Sequence, residues 1–197
     1  MTAAGLGIGV LGPMTLATSP PGGNQQQVPT TSLDFQLHGT QPNLDTEEFQ
    51  PFSPAYACSF CHADYGLEIA PYDTWVVSLM AHSARDPVFQ ATLAIANVDA
   101  HQSGTFCFRC HAPQAHLTGK GADGTMTDFS DDDMGINCDL CHRVVNPVYG
   151  PDSAQGYPDE PPADPDLQIV ESLTKAGVLP VSVGNAQIVV DPESVRR

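Results

Sequence analysis

Apolar residues recur at helical spacing in two consecutive segments of the chain. Within residues 72–84, Trp75, Leu79 and His82 lie at positions i, i+4 and i+7, so a helix there would place all three on one face. A second helix is predicted over residues 86–97, because an aspartate that can cap the first turn is followed by proline at the first helical position. The inward positions predicted for this second helix are Phe89, Leu93 and Ala96.

The remaining segments are interrupted by proline and glycine and show weaker periodicity. Residues 112–137 are predicted to be a loop. Near the C-terminus the sequence predicts a short helix over residues 167–175, closed by Gly177 as a left-handed cap, and then a β-hairpin that turns at Gly184 and Asn185. The predicted fold class is therefore mainly α with extensive coil and a small C-terminal β-hairpin.

Composition divides the chain into four parts. Residues 1–20 are an apolar segment typical of a signal-peptide remnant, and residues 21–50 form a Pro/Gly/Gln-rich extended arm or linker. Residues 51–150 contain every cysteine and form the predicted core, whereas residues 151–197 combine an acidic proline-rich loop with the short helix and hairpin. No stretch reaches the ~20 apolar residues of a membrane span.

The charge of the chain limits its partners. It carries 23 acidic and 7 basic side chains, which gives a formal net charge of −16. A chain with so few cations cannot neutralise a phosphate backbone, so nucleic-acid binding is excluded, and docking on an anionic membrane surface is disfavoured. A protein partner must be basic or use uncharged contacts.

The six cysteines form three pairs of one spacing, and each pair is followed directly by histidine. The segments read CSFCH at 58–62, CFRCH at 107–111 and CDLCH at 138–142. Two thiols three positions apart can bond the two vinyl groups of a porphyrin, and the next residue brings its imidazole to the iron. Three c-type haems are predicted, held covalently by Cys58, Cys61, Cys107, Cys110, Cys138 and Cys141, with proximal ligands His62, His111 and His142.

Other uses of the C-x-x-C spacing compete with this prediction. One such pair can be a redox dithiol or half of a zinc site, and several pairs can form a disulfide framework. A zinc site would join two pairs and leave the third without a partner. None of these alternatives explains a histidine at the same offset three times, so we favour haem.

Four histidines remain as candidates for the distal position of the irons. His82 is the strongest, because it lies on the apolar face of the predicted helix after the first motif, and a hydrogen-bonded core histidine is the alternative. His101 and His116 are weaker candidates, and His38 lies in the predicted arm, where it is either solvated or reaches another copy of the chain. The methionines that compete for these positions are Met80, Met126 and Met134.

Charged residues near the motifs suggest two further contacts. Arg109 and Arg143 lie inside or beside haem motifs, where they could pair with haem propionates. The acidic run at residues 131–133 could supply carboxylate oxygens to calcium, although a solvated acidic face is the commoner meaning of such a run.

The chain resembles multihaem c-type cytochromes with bis-histidine haems over residues 56–145. The resemblance rests on the three C-x-x-C-H motifs, on the segment from Trp75 to His82 that continues into Arg-Asp-Pro, and on GINCDLCH at 135–142. It implies a fold organised by the haems, a distal histidine at position 82 and haem attachment outside the cytoplasm, in the periplasm or at the cell surface of a bacterium or archaeon. Many members of this family are longer and carry further haem motifs.

Electron transfer is the function that this resemblance implies. The chain would act as a carrier, or as a subunit of a larger extracytoplasmic assembly whose redox partners are proteins, including further cytochrome subunits or other copies of itself. Two alternatives remain open: a catalytic multihaem reductase or oxidase of a small nitrogen or sulfur species, and a cytochrome that polymerises into a wire. A catalytic role needs an iron with an open sixth position, and the surplus of histidines gives no sign of one.

Overall fold

A computed structural model describes residues 28–37, 39–42, 49–66, 68–145, 174–175, 177 and 187–192. His38, the apolar N-terminal segment and the predicted hairpin turn lie outside these residues, as does most of the predicted helix at 167–175. The described chain is mainly helical, as predicted, and its β-pairing consists of two isolated bridges, Val28 with Ala100 and Val144 with Val190. None of its helices combines the length and apolar character needed to cross a membrane.

All three cysteine motifs lie in α-helices. The α-helices of the described residues are α1 (Ala55–His62), α2 (Pro71–Val76), α3 (Pro87–Asp99), α4 (Gly104–His111), α5 (Pro113–Leu117) and α6 (Cys138–Arg143). Single 3₁₀ turns form at Ser32–Phe35 and Asp131–Asp133. The first motif closes α1, the second closes α4, and the third occupies most of α6.

Helix α3 forms where the sequence predicts it. The Asp86 carboxylate accepts a hydrogen bond from the Val88 amide at 3.1 Å, and Pro87 occupies the first helical position. The helix ends at Asp99, two residues beyond the predicted end. Phe89 and Leu93 are buried, as expected for its inward face.

The prediction of one helix over residues 72–84 is wrong beyond Val76. Helix α2 ends there, and the chain continues in turns, with the Ser78 amide bonded to the Trp75 carbonyl at 2.8 Å. Residues 75–80 instead form hydrogen bonds with the segment before α6. The Trp75 indole N–H donates to the Ile136 carbonyl at 2.8 Å, and the Ile136 amide donates to the Met80 carbonyl at 2.9 Å. Trp75 and His82 therefore do not share a helical face.

The predicted loop over residues 112–137 contains regular structure at both ends. Helix α5 begins at Pro113, directly after the second motif, and all five of its residues are buried. The 3₁₀ turn Asp131–Asp133 lies near the other end. Gly121 and Gly124 between them adopt positive φ angles of 67° and 80°, a conformation that glycine adopts without steric cost.

Two apolar clusters form the interior of the described chain. The first surrounds α4 and consists of Ala84, Phe89, Leu93, Phe108, Ala112 and Ala115. The second consists of Phe52, Leu117, Leu140 and Val190. Residues 187–192, which we call the C-terminal strap, supply the last member of the second cluster.

The C-terminal strap is held from both sides by main-chain hydrogen bonds. The Val145 amide donates to the Val189 carbonyl at 2.9 Å, which joins the strap to the exit of α6. On the other side, the Thr40 amide donates to the Ile188 carbonyl at 3.0 Å. The described part of the predicted N-terminal arm is therefore packed against the protein at this point, with Thr40 buried.

Candidate functional site

Each motif helix places its two cysteines and its histidine on one side. Residues at positions i, i+3 and i+4 of an α-helix are neighbours on its surface, and the C-x-x-C-H spacing matches these positions. In every motif the first cysteine is partly buried and the second is exposed. The six thiols form no disulfide bond. Each helix therefore carries two thiols and an imidazole on the same side.

At the second motif the orientation of the histidine is fixed. The His111 Nδ1 atom lies 3.1 Å from the Ser83 carbonyl oxygen, and because a carbonyl can only accept, Nδ1 carries the proton. The other ring nitrogen, Nε2, then keeps its lone pair for a metal, which is the arrangement typical of metal-binding histidines. The imidazole also stacks on Phe89, with ring centroids 4.1 Å apart and an interplanar angle of 12°.

The first and third motifs are joined by side-chain hydrogen bonds. The Asn137 side chain caps α6 by accepting from the Leu140 amide at 3.2 Å, and its amide donates to the Ser53 carbonyl at 3.2 Å. The Ser53 amide in turn donates to the Asp139 carboxylate at 2.7 Å. These bonds connect the residues that lead into α1 with the first turn of α6.

Cysteines of these two motifs also influence each other electrostatically. Burial, together with the neighbouring Cys58 thiol, raises the pKa of Cys138 to about 11. At the second motif, burial likewise raises the pKa values of Cys107 and Cys110. These cysteines are therefore protonated thiols at neutral pH.

His82 lies at the edge of a cavity next to the first motif. The cavity has a volume of about 270 Å³, and residues lining it include Tyr56, Tyr72, Trp75, His82, Arg85 and Asn137. The ring of His82 is exposed, and its Nε2 donates to the Val76 carbonyl at 2.9 Å. His82 thus shares this cavity with Ala55 and Tyr56 of α1, and its Nε2 bears a proton in this arrangement. Its role as a distal ligand remains a prediction.

The other two predicted distal ligands within the described residues, His101 and His116, differ in their exposure to solvent. His101 is exposed in the turn after α3, where its main-chain amide donates to the Val28 carbonyl at 3.1 Å. His116 is 3% exposed on α5, and its Nε2 lies 3.4 Å from a guanidinium nitrogen of Arg109. Burial, with a contribution from Arg109, lowers the pKa of His116 to about 4. His116 is therefore a neutral interior side chain at physiological pH.

We expect His116 to make the fold sensitive to acid. Its neutral form is favoured in the folded state, so its contribution to stability is complete above about pH 6.5 and is lost as the pH falls towards about 4. The shift corresponds to about 3 kcal/mol. Urea unfolding at pH 7 and pH 4.5 should show a smaller pH-dependent loss in His116→Gln than in the wild type. The exposed His101→Gln is the control, and equal pH dependence in all three proteins would contradict the assignment.

Arg109 and Arg143, predicted to pair with propionates, are both buried. The Arg143 side chain donates from Nε to the Asp191 carbonyl and from Nη1 to the Gln50 carbonyl, each at 2.8 Å. Its guanidinium also lies over the rings of Phe49 and Phe52, at 4.6 and 5.0 Å from their centroids. Arg143 thus fastens the C-terminal strap to α6, and its pairing with a propionate remains a prediction.

The acidic run at residues 131–133 does not converge on a common point. Asp131 and Asp132 are exposed, whereas Asp133 is fully buried and pairs with Lys120 at 2.5 Å. Ser130 donates to the same carboxylate from its amide and its hydroxyl. Throughout the described residues, no three His, Cys, Asp or Glu side chains are arranged to hold a metal ion.

Large apolar side chains are exposed around the first motif. Phe60 on α1 is 83% exposed, and Val77 and Leu79 after α2 are 79% and 87% exposed. Helices α1 and α2 pack against each other. Met80 is also exposed, whereas Met126 and Met134 pack against the cluster around α4.

Two residues that orient the motifs were missed by the sequence analysis. Asn137 could have been recognised, because asparagine directly before a helix is a standard capping signal. The acceptor for His111 is the main-chain carbonyl of Ser83, for which no side-chain signal exists.

Comparison with known proteins identifies no relative: no family model, curated protein or solved structure matches the chain.

Proposed function

We propose that the chain transfers electrons through three c-type haems that it holds covalently. The observation that carries this proposal is the threefold recurrence of two thiols and an imidazole on one side of a short helix. One haem needs two thioether bonds and one axial nitrogen, and every motif offers that set. A redox dithiol, by comparison, would not explain why a histidine follows each cysteine pair.

The residues of the second site fit such a group. Nδ1 of His111 is engaged by the Ser83 carbonyl, so Nε2 is the available donor, and the stacked Phe89 ring restricts rotation of the imidazole. At the first site, the exposed Phe60 side chain, which lies between the two cysteines of the motif, provides an apolar surface suited to a porphyrin. Bound haem would supply the change between ferrous and ferric iron, and the protein would tune it by axial ligation, burial and nearby charge.

The proposal includes location and partners. Covalent haem attachment implies that the chain functions outside the cytoplasm, in the periplasm or at the cell surface. Its net charge of −16 favours a redox protein with a basic docking surface, since like-charged partners would repel it. We place the chain as a carrier or as one subunit of a larger electron-transfer assembly.

The haem content of the full chain tests the proposal. We expect the protein produced in a host that matures c-type cytochromes to carry three covalent haems, measured as the mass increase of the denatured chain and by the pyridine haemochrome spectrum. The same chain made in a cytoplasm that lacks the maturation enzymes should have its unmodified mass. Stoichiometric zinc with no covalent haem in the first preparation would overturn the proposal.

A further inference from the structure

The order of the three attachment sites in space differs from their order in sequence. Helices α1 and α6 pack against each other, although their motifs are separated by the whole second motif. Helix α4, in contrast, packs against α3 and α5. Building on the proposed function, we propose that the first and third sites form one electronically coupled pair and that the second site is a separate centre.

The packing of α1 against α6 carries this inference. The first cysteines of the two motifs, Cys58 and Cys138, lie close enough for the Cys58 thiol to affect the pKa of Cys138. A thioether forms at the sulfur atom itself, so the porphyrin carbon bonded to each sulfur lies one covalent bond from it. With haem bound at both motifs, the packing of α1 against α6 would therefore hold the two haems close together.

The relative position of the two helices is fixed by bonds outside the cysteines. Asn137 joins the cap of α6 to the Ser53 carbonyl, and Asp139 accepts from the Ser53 amide. Both acceptor and donor of Ser53 are thus used to hold the chain that enters α1 against α6. The side chains of Asn137 and Asp139 are buried, so solvent does not compete for these bonds.

The second site has different surroundings. Cys107 packs against the apolar cluster that contains Phe108, and α4 begins with the Gly104 amide donating to the Asn97 side chain at 2.9 Å. The contacts that orient His111 come from Ser83 and from Phe89 of α3. These contacts anchor the second site to α3 and its flanks, whereas the first and third sites are anchored to each other.

Coupling has a defined electronic consequence. When an electron passes within the pair, one ferrous iron becomes ferric and one ferric iron becomes ferrous, and no bond is formed or broken. The charge left by the first oxidation lies next to the second iron, so the second oxidation is harder. The pair should therefore titrate over a wider potential range than two independent centres, whereas the second site should follow a simple one-electron curve.

Electron paramagnetic resonance of the wild-type protein, recorded during a redox titration, tests the pair directly. We expect two of the three ferric haems to give signals broadened by magnetic interaction, and a sharp signal to grow when one member of the pair is reduced. Three isolated signals at every potential would overturn the inference. Because the measurement requires a protein with three haems, a failure of the proposed function appears beforehand as a wrong haem count.

Two matched variants assign the coupling to named sites. Cys138→Ala with Cys141→Ala should leave two haems with isolated signals and two simple one-electron steps. Cys107→Ala with Cys110→Ala should leave two haems that retain the broadened signals. The reverse pattern would overturn the assignment. If a variant does not fold, the wild-type titration still decides whether a coupled pair exists.

Discussion

Replacing Cys107 and Cys110 by alanine should reduce the covalent haem content from three to two. Both thioether bonds at the second site depend on these thiols, and His111 alone would leave the haem noncovalent and extractable. Haem counted from the mass of the denatured chain measures this loss. Ser83→Ala is the control: it removes the hydrogen bond from the Ser83 hydroxyl to the His111 carbonyl, but it keeps both cysteines and the main-chain acceptor of the His111 ring, so its haem count should stay at three.

The corresponding pairs of substitutions in the other motifs distinguish haem from zinc. If each motif binds its own haem, removal of Cys58 with Cys61, or of Cys138 with Cys141, should also cost one haem each. A zinc ion shared by two motifs would instead be lost completely in two of the three variants and retained in the third. That unequal pattern would contradict independent haem attachment.

Replacing Lys120 by methionine should destabilise the fold by about 3 kcal/mol. Breaking a buried ion pair commonly costs about 3–5 kcal/mol, and the lower end applies because the Lys120 side chain is 35% exposed whereas that of Asp133 is completely buried. Urea unfolding at pH 7 measures the change. The exposed Asp132→Asn in the same acidic run is the control, and an equally small effect of both substitutions would show that the ion pair contributes little.

The Lys120–Asp133 ion pair also makes the stability of the fold depend on pH. Burial raises the pKa of Asp133, but hydrogen bonds from Lys120, Ser130 and Gln114 outweigh it and lower the pKa overall. The stabilisation is therefore present above the ordinary carboxyl value of 3.8 and is lost as the pH falls through the lowered one. Without Lys120 the pKa of Asp133 should rise, so Lys120→Met should lose stability at a higher pH than the wild type.

Local sequence signals predicted the helices whose ends are set by adjacent residues. Asp86 and Pro87 start α3 because a capping carboxylate and a proline act within one turn. The continuation of α2 was mispredicted because its end is set from a distance, by the bonds of Trp75 and Met80 to Ile136. Periodicity within residues 72–84 carries no information about Ile136, so no reading of that window alone could have ended the helix at Val76.

The three cysteine–histidine motifs are recognisable from the sequence, but their grouping in the fold is not. The C-x-x-C-H spacing places each set on one side of a helix, because the relation is confined to five consecutive residues. The proximity of the first and third motifs depends on how α1 and α6 pack, which no short spacing encodes. Burial of His116 also depends on tertiary packing, because other parts of the folded chain bury all five residues of α5.

The C-terminal strap sets an order in time for the completion of the three sites. The contacts described at the second site, including those of Ser83, Phe89 and Asn97, come from residues near α4 in the sequence, so this region can fold through contacts of short sequence separation. The backing of α6, in contrast, includes Val189 and Asp191, which lie far from α6 in the sequence. The second site should accordingly fold first, and the first and third sites should be completed together, after residues 189–191 have docked.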